Sequence, residues 1–240
     1  KRGAKDDIDI KYVDGEKEIA GYMCKKAEIT VKNGKVPSVV YYTEEIPGAL
    51  SREFKGLKSK QSSYLNFIIS LSVIKTIEHY VSDDNYIKWP NDILSSQKKI
   101  SGILIENNIK GDEFKNSIIG IGLNVNQTRF MNIANATSIK LITNKEIRIE
   151  EVLDKLINNI GTYIKILIAK DFDTILDLYN SRLYGRDYCK FLINNETFEG
   201  KVINVNPSGS INVKIKGLGT ATIAKLDLFD YPVLPIRFIN

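Results

Sequence analysis

The stretch YIKWPNDILSSQKKISGILIE, residues Tyr86–Glu106, sets apolar runs on either side of Trp89-Pro90-Asn91-Asp92 and puts Lys98 and Lys99 directly before the second run. The runs read as two strands, Tyr86–Trp89 and Ile100–Glu106, around a turn that Asn91-Asp92 with Ser95-Ser96 can make. Pro90 stops the first strand and fixes the turn. A hairpin alone needs neither the tryptophan nor so many charges in so few residues. Asn91 and Asp92 stand at a strand end, where sheets flanked by helices commonly receive ligands. Lys99 enters the next strand, and Ser101-Gly102 then let a ligand lie against bare backbone. SIIGIGLNVN, Ser117–Asn126, repeats that feature with Gly120 and Gly122. It adds Asn124, whose amide carries two donors and one acceptor. A cation, a carboxylate, an amide and two glycine floors suit an anionic ligand with a flat or bulky body. Each piece alone has a plainer reading: a solvated lysine pair at a hairpin end, a core tryptophan, a chance Gly-x-Gly. Their joint order points to a site.

Outward from this stretch the chain alternates between helical and strand texture. Ile8–Val13 alternates and reads as a strand. Ile19–Lys32 reads as a helix that Asn33-Gly34 would close. Val36–Thr43 is β-branched and aromatic, hence a strand. Gly48–Ser63 is polar and basic, with no apolar period, and reads as a loop. Leu65–Leu71 is a strand candidate, and from Ser72 to Val81 the apolar spacing turns helical. Glu150–Ala169 and Asp173–Leu183 carry apolar residues at helical spacing and form a helical pair. After Gly185 come short strands and turns such as Asn206-Pro207-Ser208-Gly209, the texture of a small all-β barrel. A domain boundary is expected near residue 186, giving units 1–185 and 186–240.

Composition narrows the function classes. The chain has 240 residues, of which 43% are hydrophobic, enough for a sizeable core. It carries 34 Lys and Arg against 29 Asp and Glu, for a net charge of +5. The lysines are scattered, which argues against a nucleic-acid footprint but permits an anionic ligand. The two cysteines, Cys24 and Cys189, lack CxxC or His/Cys metal spacing and fit a reducing cytoplasm. His79 is the one histidine and sits in a helical-looking stretch, so Ser-His-Asp chemistry and histidine metal sites have little to work with. No apolar run approaches a membrane span of roughly 18 residues.

KWPND, KISGILIE and GIGLNVN, in this order and spacing, resemble the biotin protein ligases. Their relatives include holocarboxylase synthetase, and lipoate ligases share the fold. AEITVKNGKVPSVVYYTEE is similar to the segment leading into that family's nucleotide loop, and the resemblance extends to the β-rich tail. It implies an α+β fold, a mixed and largely antiparallel sheet with helices, followed by a small C-terminal SH3-like β-barrel. It implies that biotin and ATP, with Mg²⁺ held largely through phosphate oxygens, form biotinyl-5′-AMP. A lysine of a biotin carboxyl carrier domain then takes the biotin. By position in the motifs, Lys99 matches the lysine that contacts both the biotin carboxyl and the phosphate. Asp92 matches the carboxylate that orients the incoming lysine, and Arg52 matches a loop arginine. Asn124 matches an adenylate contact. Trp89, Asn91, Ser101, Gly102, Gly122 and Lys55 complete the implied binding set.

The first half departs from the pattern. Gly15, Glu16 and Lys17 stand where the family shows Ser, Thr and Asn. In EEIPGALSREFKGLKSK, Ile46 replaces a Gln and Leu50 an Arg, Ala49 and Ser51 replace glycines, and Leu57 replaces the Trp over adenine. Each lost polar partner for the ligand costs about 1–3 kcal/mol if the ligand group stays unpaired. Three readings stay open: a working biotin ligase, a ligase for another acyl acid such as lipoate, and a non-catalytic binding module. Few residues precede Ile8, so no DNA-binding winged helix is expected, and homodimerisation through the sheet is left undecided.

Overall fold

The computed structural model describes residues 8–19, 22–31, 38–42, 61–82, 84–130, 135–193, 196–223 and 236–239. The chain divides into two compact units, Lys1–Glu53 and Phe54–Asn240.

The first unit is a three-stranded antiparallel sheet of β1 (Ile8–Ile19), β2 (Tyr22–Val31) and β3 (Ser38–Tyr42), in that order. The helix expected over Ile19–Lys32 is therefore a strand. From Ala27 to Val31 its apolar residues alternate with Glu28 and Thr30, and Lys11 faces Glu28 while Glu16 faces Lys25 across the ladder. Opposite charges directly across a pair favour this pairing. Asn33-Gly34, outside the described residues, is a hairpin signal as much as a helix stop. The substituted Gly15 lies inside β1 at a bulge between Val13 and Glu16, with φ +141°. A side chain there would be strained, so this departure has a backbone reason.

The second unit is built around α1 (Ser62–Ile77). The strand expected over Leu65–Leu71 is therefore helix; the apolar residues there show no helical period. The structure shows why: Tyr64, Leu65, Phe67, Ile68, Ile69, Leu71, Val73, Ile74 and Ile77 are buried all round the helix. A helix enclosed on every side has no polar face to mark its period. Its buried hydroxyls stay satisfied within the helix, Ser70 donating to the Asn66 carbonyl, Ser72 to Ile68 and Thr76 to Ser72, at 2.8, 2.6 and 2.8 Å. Around it pack α3 (Ile149–Ile168) and α4 (Phe172–Ser181), the expected helical pair. Asn159 Nδ2 donates to Thr76 Oγ1 at 2.9 Å, and the Phe67 and Tyr179 rings lie 4.2 Å apart. A short helix, α2 (Ile139–Thr143), is N-capped by Ser138, whose Oγ accepts from Leu141 N.

On another side of α1 lies a four-stranded antiparallel sheet, β4 (Asn85–Lys88), β5 (Asp92–Ser95), β6 (Lys98–Lys110) and β7 (Glu113–Leu123), in chain order. The expected pair of strands around one turn is three strands and two turns. β5 looks like turn in the sequence because it has only four residues between turn-forming neighbours. The second turn is Ser96-Gln97, both with positive φ, 48° and 62°. That is the geometry of a two-residue hairpin turn, here made without glycine or asparagine.

The C-terminal strands β8 (Cys189–Ile193), β9 (Glu196–Val205), β10 (Ile211–Ile215), β11 (Gly219–Ile223) and β12 (Ile236–Ile239) form one antiparallel sheet in the order β11-β10-β9-β8-β12. The expected turn at Asn206–Gly209 is present, with Asn206 Oδ1 accepting from Ser208 N and Ser210 N. The single tryptophan ties this sheet to the other. Trp89 is buried, and its Nε1 donates to the Gly209 carbonyl at 2.9 Å. Ser63 Oγ donates to Pro207 O at 2.5 Å, and Asn66 Nδ2 donates to Pro90 O at 3.0 Å. Trp89→Phe keeps the ring packing but leaves the Gly209 carbonyl unpaired. It should destabilise the protein by about 1–3 kcal/mol, seen as a lower urea midpoint with an unchanged slope.

Candidate functional site

The strand register assembles the site. Lys88 faces Asp92, Asp92 faces Gly102 and Gly102 faces Gly122, so one rank crosses all four strands on one face of the sheet. The neighbouring rank, Ile87, Ile93, Ser101 and Leu123, points the other way, and its first three members are buried. Ser101 therefore does not join the charged rank. Its Oγ is buried with no hydrogen-bond partner among the described residues.

Simple alternation would put Lys99 with Ser101, facing the core. A bulge prevents this. β5 pairs Leu94 with Lys99 and Ile93 with Ser101, which leaves Ile100 as the extra residue. The alternation is reset, and Lys99 swings onto the face of Asp92 and Gly102. Its Nζ lies 2.6 Å from Asp92 Oδ1. A β-carbon added to Gly102 would stand 3.3 Å from Lys99 Nζ and 3.5 Å from Asp92 Oδ1. Glycine at this position makes room for the ion pair. Beyond it the same face is low: Gly122, then Gly120 opposite an exposed Leu104, then an exposed Ile118 opposite Glu106.

The bulge is held from outside the sheet. Lys99 N donates to Asn135 O, Thr137 N donates to Lys99 O, and Asn124 N donates to Ile100 O, at 2.9, 2.8 and 2.9 Å. Asn124 Nδ2 donates to Thr137 O at 3.0 Å. Asn124, expected as a ligand contact, thus braces the backbone that aims Lys99. Asn91 has a similar part: its carbonyl accepts from Ile103 N and its Nδ2 donates to Ile103 O, both at 2.9 Å. Arg52 and Lys55, and the replaced residues from Ile46 to Leu57, lie outside the described residues. His79 is exposed and stacks edge-on with Tyr80.

Lys88 is the residue that sequence reasoning missed. Burial pushes its ammonium below the ordinary lysine range; Asp92 pulls it back up, and Lys99 pushes it further down. The signal was present in KWPND, since a three-residue turn between Lys88 and Asp92 puts them directly opposite. Lys99 and Asp92 set a cation and a carboxylate side by side over a glycine floor. Such a rank can hold an anion against bare backbone and keep a carboxylate beside it. No group of three His, Cys, Asp or Glu side chains able to hold a metal ion occurs among the described residues.

Fold and rank together give an α+β protein with a candidate site on an antiparallel sheet. The model of the biotin/lipoate A/B protein ligase family matches residues 53–124. The bifunctional ligase/repressor BirA of Bacillus subtilis (strain 168) is 41% identical over 68 residues, which are 28% of this chain and 21% of that protein. The apo structure of the biotin protein ligase of Aquifex aeolicus has a TM-score of 0.59 and 27% identity, covering 75% of this chain and 76% of that one. The same ligase in complex with biotin and ATP gives 0.59 and 26%, covering 75% and 72%. Over residues 53–124 the chain is similar to the biotin/lipoate A/B protein ligases, and its fold is similar to that of the Aquifex aeolicus biotin protein ligase. The chain spans about a fifth of the length of the curated relative it matches.

Proposed function

We propose that the chain is an ATP-dependent biotin protein ligase. The carrying observation is the rank itself: Lys99 on Asp92 at 2.6 Å, beside the bare backbone of Gly102 and Gly122. In the first step a biotin carboxylate oxygen attacks the α-phosphorus of ATP, giving biotinyl-5′-AMP and pyrophosphate. Two anions must meet, and a fixed cation in a site of low effective dielectric offsets their repulsion. Lys99 supplies it, and the glycine floor admits the body of the ligand. In the second step a carrier lysine attacks the acyl carbon, an amide forms, AMP leaves and the amine loses a proton. Asp92 orients that amine. Mg²⁺ would be held largely through the phosphate oxygens of ATP.

The partner is a biotin carboxyl carrier domain and the setting the cytoplasm. None of the described helices is long and apolar enough to cross a membrane. The C-terminal sheet, from about residue 186, is the counterpart of an SH3-like barrel domain. The test is direct: incubate the protein with ATP, biotin and a carrier domain, and weigh the carrier. A mass gain of one biotinyl group is expected. Adenylate without transfer, or neither, would favour a binding module, the reading to which the replacements at Gly15, Glu16, Lys17 and Leu50 point.

Gly102→Ala tests the floor. The atoms it crowds are the free ends of Lys99 and Asp92, so the fold should adapt, with Tm moving by about 1–2 °C. The ion pair must shift, and affinity for biotinyl-5′-AMP should fall about tenfold by calorimetric titration. A variant that binds like the parent would show that the ligand does not approach Gly102.

A further inference from the structure

Lys88 has no task in the chemistry above, yet it shares the rank. It stands opposite Asp92 on β4, while Lys99 reaches the same carboxylate from β6. Facing residues on one side of an antiparallel pair have β-carbons about 4.5–5.5 Å apart, within easy reach for a lysine. Asp92 is thus bracketed by lysines on both flanks. In the structure Lys99 holds it. An anion arriving on the glycine floor competes for the same ammonium. Were Lys99 drawn away with nothing to replace it, a partly buried carboxylate would lose its counter-charge, which would oppose ligand binding. Half-buried on the adjoining strand, Lys88 is the cation already in place.

We propose that Lys88 is a positioning residue that takes over Asp92 when Lys99 turns to the anionic ligand, so that the carboxylate keeps a cationic partner and stays aimed at the incoming amine. The exchange of partners stands on the rank geometry alone; its use in transfer rests on the ligase reading.

Lys99→Met stands in for the state in which Lys99 is withdrawn, with Lys99→Gln as the substitute if that protein does not fold. In this background a double-mutant cycle combines Lys88→Met with Asp92→Asn and is read by thermal melting. Lys88→Met should lower Tm by about 2–4 °C more with Asp92 present than with Asn at that position. Equal shifts in both backgrounds overturn the exchange. In the protein with Lys99 intact, Lys88→Met should slow transfer from pre-formed biotinyl-5′-AMP at least tenfold, roughly, and leave adenylate formation within about threefold, and Lys88→Arg should restore transfer. Equal losses in both steps, or no loss in transfer, overturn the positioning role. A parent protein that makes no adenylate defeats the ligase reading, while the melting cycle still decides whether Lys88 takes Asp92.

Discussion

Lys99→Ala is expected to abolish measurable adenylate formation while leaving a folded protein. Lys99 Nζ is the cation that the β6 bulge delivers to the open face, 2.6 Å from Asp92. A single preorganised charge or donor facing the developing negative charge of a transition state is worth about 3–4 kcal/mol, or two to three orders of magnitude in rate. Stability should change far less. Both side chains of the pair are partly exposed, at 37% and 26%, and exposed ion pairs contribute about 0–1 kcal/mol. Tm should therefore fall by no more than a few degrees, roughly. Lys98→Ala is the control, because Lys98 is exposed at the β5–β6 hairpin end. Pyrophosphate release in a single turnover measures the step. Equal rates for the two alanine variants would remove Lys99 from the chemistry.

What the sequence made legible follows from how local each signal is. α3 and α4 could be read because each presents an apolar stripe to α1 and a polar face to water. α1 could not, because burial on every side leaves no stripe. The motif residues Asp92, Lys99, Gly102 and Gly122 could be named from their types and order, yet their geometry depends on pairing. Ile100 becomes a bulge residue only through its partners Ile93 and Leu94 on β5. Without the bulge, alternation sends Lys99 into the core beside Ser101, whereas the structure brings it to the open face. Lys88 was passed over for the same reason: its place opposite Asp92 is a fact of register. Asn91 and Asn124 look like ligand contacts by type, and only the structure shows that their Nδ2 groups hold the Ile103 and Thr137 backbones.

Asp92→Asn separates a transfer residue from a structural one. The reactive amine of a carrier lysine must be neutral, and deprotonating a lysine of pKa ~10.4 at pH 7 costs about 4–5 kcal/mol. Asp92 already binds an ammonium, that of Lys99, so it has the geometry to receive another and to accept its proton. Asparagine keeps the shape and the turn and removes the charge. Adenylate formation should stay within a few-fold of the parent, and transfer should slow by roughly 10²–10⁴, the usual worth of a positioned base. If Asp92 serves only to aim Lys99, the same substitution loosens Lys99 and slows adenylation instead. If it only caps the turn after Pro90, asparagine substitutes well and both steps run as in the parent. Single-turnover transfer from pre-formed biotinyl-5′-AMP, set against pyrophosphate release from ATP and biotin, distinguishes the three outcomes. Only a selective loss of transfer assigns the amine to Asp92, because Lys99 and the glycine floor would then still be making adenylate beside a carboxamide that can neither hold the ammonium by charge nor take its proton.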